Sequence, residues 1–149
     1  MKQLEKFIRD KRSPIPKNEN VSRVMSKNKG KNTKPELLLR RELWQNGIRG
    51  YRLHRKDLPG KPDLAFISKK IAIFVNGCFW HRCPNCQYKL PKTNRDFWKN
   101  KFENNIARDL KANDQLKEMS WKVITIWECE LKNREKLEQA VQKIKDQIN

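Results

Sequence analysis

Eleven residues, Asn76-Gly77-Cys78-Phe79-Trp80-His81-Arg82-Cys83-Pro84-Asn85-Cys86, hold three of the four cysteines in the chain, one of its two histidines and an adjacent aromatic pair. Cys78, Cys83 and Cys86 are spaced closely enough to ligate one ion, and the Pro-Asn pair between the last two forms a tight turn that presents both sulfurs to one point. Cys129, after a later apolar run, supplies a fourth thiolate and completes the tetrahedral set of a structural Zn2+ site. Four ordinary buried or free thiols are the competing reading. His81 stands outside the thiol set and is left free for acid–base chemistry.

The charge balance says what that chemistry acts on. Thirty-five Lys and Arg against seventeen Asp and Glu give a net charge of +18, with an isoelectric point near 10.0. So basic a chain binds polyanions. Nucleic acid is the commonest, because each Lys or Arg that meets a phosphate releases condensed counterions. A lysine-rich surface that serves only solubility is the alternative. Cutting a phosphodiester requires a positioned water, neutralised charge at phosphorus and a leaving 3′ oxygen. Mg2+ held by carboxylate and carbonyl oxygens meets the last two needs and an imidazole the first. Asp63, the backbone carbonyl near Val75, and His81 form a lean but sufficient set. Asp63 has a second possible role as a turn cap, since it follows Pro62. Phe79 and Trp80 suit either stacking on bases or packing in the core.

The elements that must position these residues follow from periodicity and turn chemistry. With 149 residues and 36% hydrophobic content, the chain supports one domain with a single core. Residues 1–34 carry eleven Lys and Arg against three acids and read as a basic N-terminal arm, in which Met25 is a wedge for a base step or a small anchor. Residues 35–149 form the domain. Thr33-Lys34-Pro35-Glu36 is a helix start in which Thr33 caps the amide of Glu36 and Glu36 reaches back; the helix ends before Gly47, with Leu39/Leu43 and Leu37/Trp44 as packing faces. Tyr51 to Arg55 is a short edge strand. Leu64–Ile67 and Ile71–Val75 form a hairpin that brings Asp63 near the residues from Asn76 to His81.

A long helix over 94–118 carries Trp98, Phe102, Ile106 and Leu110 at every fourth position, and Leu116 and Met119 continue its apolar face. Lys122–Trp127 is the last strand, and a helix over 133–148 closes the chain. The fold class is α/β, a central mixed β-sheet flanked by helices, with ligands gathering at strand ends. No run approaches the ~20 apolar residues of a bilayer span, and the N-terminus lacks a signal-peptide pattern, so the expected location is cytoplasmic, without membrane association.

Glu36, Leu58-Pro59-Gly60-Lys61-Pro62-Asp63, Phe74-Val75-Asn76-Gly77-Cys78-Phe79-Trp80-His81, Phe97-Trp98 and Trp127-Glu128-Cys129, in this order, closely resemble the very-short-patch-repair (Vsr) endonucleases. Those are relatives of the PD-(D/E)xK nucleases that nick one strand of duplex DNA beside a T·G mismatch left by deamination of 5-methylcytosine. The resemblance covers roughly residues 20 to 135. It implies a restriction-endonuclease-like domain and Mg2+ held by Asp63 and the Val75 carbonyl. It makes His81 the group that activates water, Glu36 a supporting acid and Asp109 the holder of the His81 tautomer. Phe79, Trp80 and Trp98 would enter the duplex from one groove and Met25 from the other. Cys78, Cys83, Cys86 and Cys129 would ligate Zn2+. The implied setting is a bacterial, nucleoid-associated monomer working on double-stranded DNA, with mismatch-repair proteins as further partners.

The chain departs from the family pattern in three places. Cys83 stands where histidine is common, and the step from Cys83 to Cys86 is one residue longer than expected. Asn76 occupies a position where a second histidine often supports catalysis; an asparagine can hold a phosphate or water there but cannot transfer a proton. Two other readings stay open at this point: a Vsr-like restriction or defence endonuclease with another DNA target, and a non-catalytic zinc-stabilised DNA-binding module.

Overall fold

A computed structural model describes residues 31–149, so Met25 and nearly all of the basic segment expected over 1–34 lie outside the described residues. The elements run α1 (Lys34–Gln45), β1 (Arg52–Leu53), β2 (Leu64–Phe66), β3 (Ile71–Asn76), α2 (Arg95–Glu118), β4 (Lys122–Trp127), a 3-10 turn over Glu128–Leu131, and α3 (Arg134–Ile148). The strands form one sheet in the order β1-β2-β3-β4, with β3 central as expected. Its first two pairings are antiparallel and the third, β3 with β4, is parallel. A parallel pair cannot be closed by a tight turn, and α2 is the crossover that links its strands. No helix among the described residues is long and apolar enough to cross a membrane.

Strand alternation sorts the core into two layers. Ile71, Ile73 and Val75 of β3 pack in one cluster with Leu39 and Leu43 of α1 and Leu137, Val141 and Ile144 of α3. Ala72, between them on the opposite face, packs with Leu58, Ala65, Leu116 and Trp121, and Phe74 lies against that group. Successive side chains of a strand point to opposite faces, so helices cover this sheet on both sides. Each fully buried Leu or Ile stabilises the fold by roughly 1.5–3 kcal/mol. Ala65 and Ala72 sit directly opposite each other on the α2 side, and their small size lets that helix approach closely.

Two expected helix faces are corrected. In α1, Leu39 and Leu43 are fully buried, but Leu37 and Trp44 are exposed; the Arg49 guanidinium lies 3.9 Å over the Trp44 ring and covers part of it. In α2, Phe102, Ala112 and Leu116 are buried, whereas Ile106, Leu110 and Met119 are exposed. At 3.6 residues per turn, a repeat of four drifts by about 40° each step, so Ile106 and Leu110 rotate off the face that Phe102 begins. Residues 112 and 116 fall back onto it.

The Leu58-Pro59-Gly60-Lys61-Pro62 turn that introduces β2 has consecutive left-handed residues, Gly60 at φ +75° and Lys61 at φ +52°. A Cβ at Gly60 would lie 2.7 Å from the Ala112 Cβ and 3.1 Å from the Phe74 ring. The turn is therefore clamped between α2 and β3. Gly60→Ala should destabilise the protein by about 1–3 kcal/mol through this overlap and the unfavourable φ. Urea unfolding checks it; an unchanged midpoint would mean that the turn is free to move.

Candidate active site

Asp63 is delivered by that turn to the mouth of β2. Antiparallel pairing of Leu64 with Ile73 sets it beside Phe74 and Val75, and its Oδ2 accepts a 2.7 Å hydrogen bond from the Val75 N–H. The same interval of β3 thus supplies the amide that fixes the carboxylate and, at Val75, the backbone carbonyl expected beside it.

Glu36 joins Asp63 from α1. Thr33 caps its amide at 3.4 Å as expected, but the Glu36 side chain does not close a capping box on the Thr33 amide. Its Oε1 accepts from the Asn32 N–H at 3.0 Å, while Oε2 accepts from Arg40 at 3.2 Å and contacts His54 Nε2 at 2.7 Å. Glu36 is 1% exposed, so this carboxylate is almost wholly removed from water and needs these partners. Carboxylate oxygens of Glu36 and Asp63 and a ring nitrogen of His54 all lie within 4.8 Å of one another. Burial pushes the Asp63 carboxyl up to about 7 against the pull of the Val75 N–H, and the neighbouring Glu36 charge adds to the rise.

His54 is the site residue that the sequence reading missed. It sits just past the two-residue β1, too short for alternation to reveal which side chain turns inward. Its backbone supplies a signal only in three dimensions: φ is +48°, and its N–H donates to the Asp63 carbonyl at 3.1 Å. In the sequence, the one available hint was that this chain has just two histidines.

His81 and Asp109 meet as expected: His81 Nδ1 lies 2.7 Å from Asp109 Oδ2, joining the segment after β3 to the middle of α2. Asn105, one turn earlier on α2, donates to the Trp80 carbonyl at 3.1 Å and ties the same segment down. Asp63, Val75, Asn76, His81 and Asp109 line one cleft of about 1290 Å³ between α2 and the ends of β2 and β3. Among the cleft-lining cations are Lys61, Lys101 and Arg108.

The aromatic residues divide. Phe79, Trp80 and Phe97 line the cleft, while Trp98 stacks on buried Phe102 with ring centroids 5.6 Å apart. Phe79 is the hub, edge-on to Trp80, Tyr88, Trp98 and Phe102 at 5.2 to 6.1 Å. Core packing and a base-contacting wall are thus not exclusive here, because one ring layer serves both.

The four cysteines converge. In the parallel pair Asn76 faces Trp127, so two residues further along each segment Cys78 and Cys129 come side by side. The four sulfurs lie within 4.8 Å of one another, with Cys83 and Cys129 Sγ 3.8 Å apart, and the Cys129 N–H points at Cys78 Sγ from 3.3 Å. Burial pushes the Cys78 and Cys129 thiols up. At Cys83 burial acts the same way but the Cys86 and Asn85 amides outweigh it, holding that thiol below its usual value. Amides aimed at sulfur are the outer partners a metal thiolate needs.

Comparison with known proteins bears on this arrangement. Residues 14–87 match the family model described as DNA mismatch endonuclease Vsr. The chain is 43% identical over 129 residues to the type II nicking enzyme V.NmeAIP of Neisseria meningitidis serogroup A, covering 84% of this chain and 91% of that one. It is 45% identical over 124 residues to the type II nicking enzyme V.HpaIIP of Haemophilus parainfluenzae, covering 81% and 85%. To the DNA mismatch endonuclease Vsr of Escherichia coli it is 39% identical over 87 residues, 58% of this chain and 56% of that one.

The raised Asp63 carboxyl has a consequence for stability. A folded value near 7, above the ordinary 3.8, means that the native state binds more protons than the unfolded chain between those limits. The stability this group contributes is present below about pH 4 and lost as pH rises through 7. Without added divalent cation, Asp63→Asn should therefore gain roughly 1–4 kcal/mol on wild type between pH 4 and pH 8. Parallel urea-derived stability profiles for the two proteins would contradict it.

Proposed function

The chain belongs to the Vsr family of DNA endonucleases, and from the cleft that joins Asp63 to His81 we propose that it nicks one strand of duplex DNA beside a T·G mismatch. The observation that carries the cutting chemistry is that Asp63, backed by the buried Glu36, shares one aromatic-walled cleft with the carboxylate-anchored imidazole of His81. A sheet presenting acids at its strand mouths also agrees with a restriction-endonuclease-like domain.

The donor set fits a hard divalent cation. Asp63 has one oxygen left after Val75 takes the other, and the Val75 carbonyl and the Glu36 carboxylate add oxygen of the type Mg2+ prefers. Mg2+ bound there would offset charge on the scissile phosphate and the departing 3′ oxygen. His81 does the proton work. An ionised Asp109 only accepts, so the His81 Nδ1 carries the hydrogen and Nε2 keeps its lone pair to take a proton from water. Asn76, at the end of β3, orients a phosphate or water by hydrogen bonding without taking a proton. Lys61, Lys101 and Arg108 attract the backbone. A T·G wobble pair is easier to unstack than a matched pair, which suits Phe79, Trp80 and Trp98 to entering beside it, with Met25 from the arm. Cys78, Cys83, Cys86 and Cys129 would hold Zn2+, tying the cleft segment to β4 and contributing to folding. One cleft serves one strand, so a monomer suffices.

A second reading has its own support: relatives that cover more than four-fifths of the chain are type II nicking enzymes, which favours a Vsr-like restriction or defence endonuclease with another DNA target. Nicking assays with Mg2+ on T·G and matched duplexes of identical flanks separate the two. Mismatch recognition requires a clear preference for T·G. Equal cutting supports the second reading. In either case Asp63→Ala and His81→Ala should lower the nicking rate at least ~100-fold; undiminished nicking by either would remove the proposed chemistry. Metal analysis should return one zinc per chain, and Cys83→Ser should release it with a fall in thermal stability. A zinc-free, equally stable protein would leave the thiols without that role.

A further inference from the structure

His54 directly follows β1 and is not among the residues that line the cleft. It stands outside the cleft-facing His81–Asp109 pair, yet it holds an uncommon backbone conformation, φ +48°, that turns its ring onto a carboxylate with 1% exposure. Left-handed conformations in non-glycine residues carry a cost and persist where surrounding structure fixes them. Here two bonds do so: the His54 N–H on the Asp63 carbonyl at 3.1 Å, and Nε2 on Glu36 Oε2 at 2.7 Å.

We propose that His54 is a direct ligand of the divalent cation at Asp63, so that Glu36, His54 and Asp63 form one mixed nitrogen–oxygen site with an affinity for manganese-class ions that an all-oxygen site lacks. The inference rests on the reading that Asp63 holds a cation. Around an ion with ligands at about 2.1 Å, adjacent donor atoms stand about 3 Å apart and opposite ones about 4 Å. The observed 2.7 Å between Nε2 and Oε2, and the 4.8 Å limit enclosing all three donors, meet that spacing with little movement. Two carboxylates crowded in a largely dry pocket repel each other, and a dication relieves this. Imidazole then sets the choice of ion. Mg2+ gains little from nitrogen, whereas Mn2+ and later first-row ions gain progressively more.

The competing role for His54 is to hold Glu36 by a hydrogen bond without touching metal. Glutamine separates the roles, since its amide can still donate to Glu36. The test uses the full-length, zinc-loaded protein and Mn2+ as the probe, with binding counted by electron paramagnetic resonance and nitrogen ligation read from pulsed spectra. Wild type should bind Mn2+ at this site and show coupling to an imidazole nitrogen. His54→Gln should abolish that coupling and weaken Mn2+ at least ~10-fold while changing Mg2+ competition by less than ~3-fold. His81→Gln should retain the coupling. Unaltered zinc content and far-UV spectra certify the folds of the variants. Absence of nitrogen coupling in wild type overturns the proposal even if the variant misfolds, and coupling that survives His54→Gln overturns it as well. Mg2+-dependent nicking that still requires Asp63 would show that the nuclease reading survives such a failure; loss of all divalent binding would end both.

Discussion

The parallel pairing of β3 with β4 is the constraint from which the site follows. Because Asn76 stands opposite Trp127, the segments leaving the two strands emerge together and set Cys78 beside Cys129. Parallel strands also demand a long return path. That path is α2, and its passage over the Ala65–Ala72 face brings Asp109 to His81 and Asn105 to the Trp80 carbonyl. One pairing choice thus organises the sulfur cluster, the imidazole and the far wall of the cleft. The Asp63 carboxylate enters from the other side through the β2–β3 hairpin and locks onto the same strand at Val75.

Electrostatics divide the molecule in a way that suits a polyanionic substrate. The chain as a whole carries +18, and Lys61, Lys101 and Arg108 line the cleft. At its Asp63 wall, however, acids gather. Glu36 and Asp63 lie side by side, partly compensated by His54 and Arg40, and burial holds the Asp63 carboxyl well above the usual carboxylate range. Such an arrangement is less favourable at neutral pH than in acid and would gain from a cation bound between the two carboxylates. The mixed sheet, clamped by helices on both faces, offsets that local cost.

Much of this was legible in the sequence, for identifiable reasons. β4 matches residue for residue because its interior, Val123 to Ile126, is entirely β-branched, and the cysteine spacing carried its geometry on its face. The Asp63–Val75 proximity followed from hairpin register alone. The failures have equally definite causes. A four-residue spacing in α2 was extended past the point where helical drift turns it to solvent, which misplaced Ile106 and Leu110. Leu37 and Trp44 were paired as a packing face by their helical spacing, whereas both are exposed and Arg49 lies over the Trp44 ring at the surface. Glu36 was expected to reach back to its cap as well as to support the site, but its carboxylate bonds the Asn32 N–H, Arg40 and His54 instead, and the last of these lies too far along the chain for a capping pattern to reveal. His54 itself follows a strand of two residues, where no periodicity exists to say which way a ring points.

The central claim is that Asp63 and His81 face a single metal-and-water pocket. With only two histidines in the chain, imidazole resonances are readily assigned, and Mn2+ added to the zinc-loaded protein broadens those near the ion. A shared pocket requires that the His81 ring signals broaden together with those of His54, and that both sharpen again in Asp63→Ala. Ring signals of His81 that stay sharp while Mn2+ occupies the Asp63 site would contradict it.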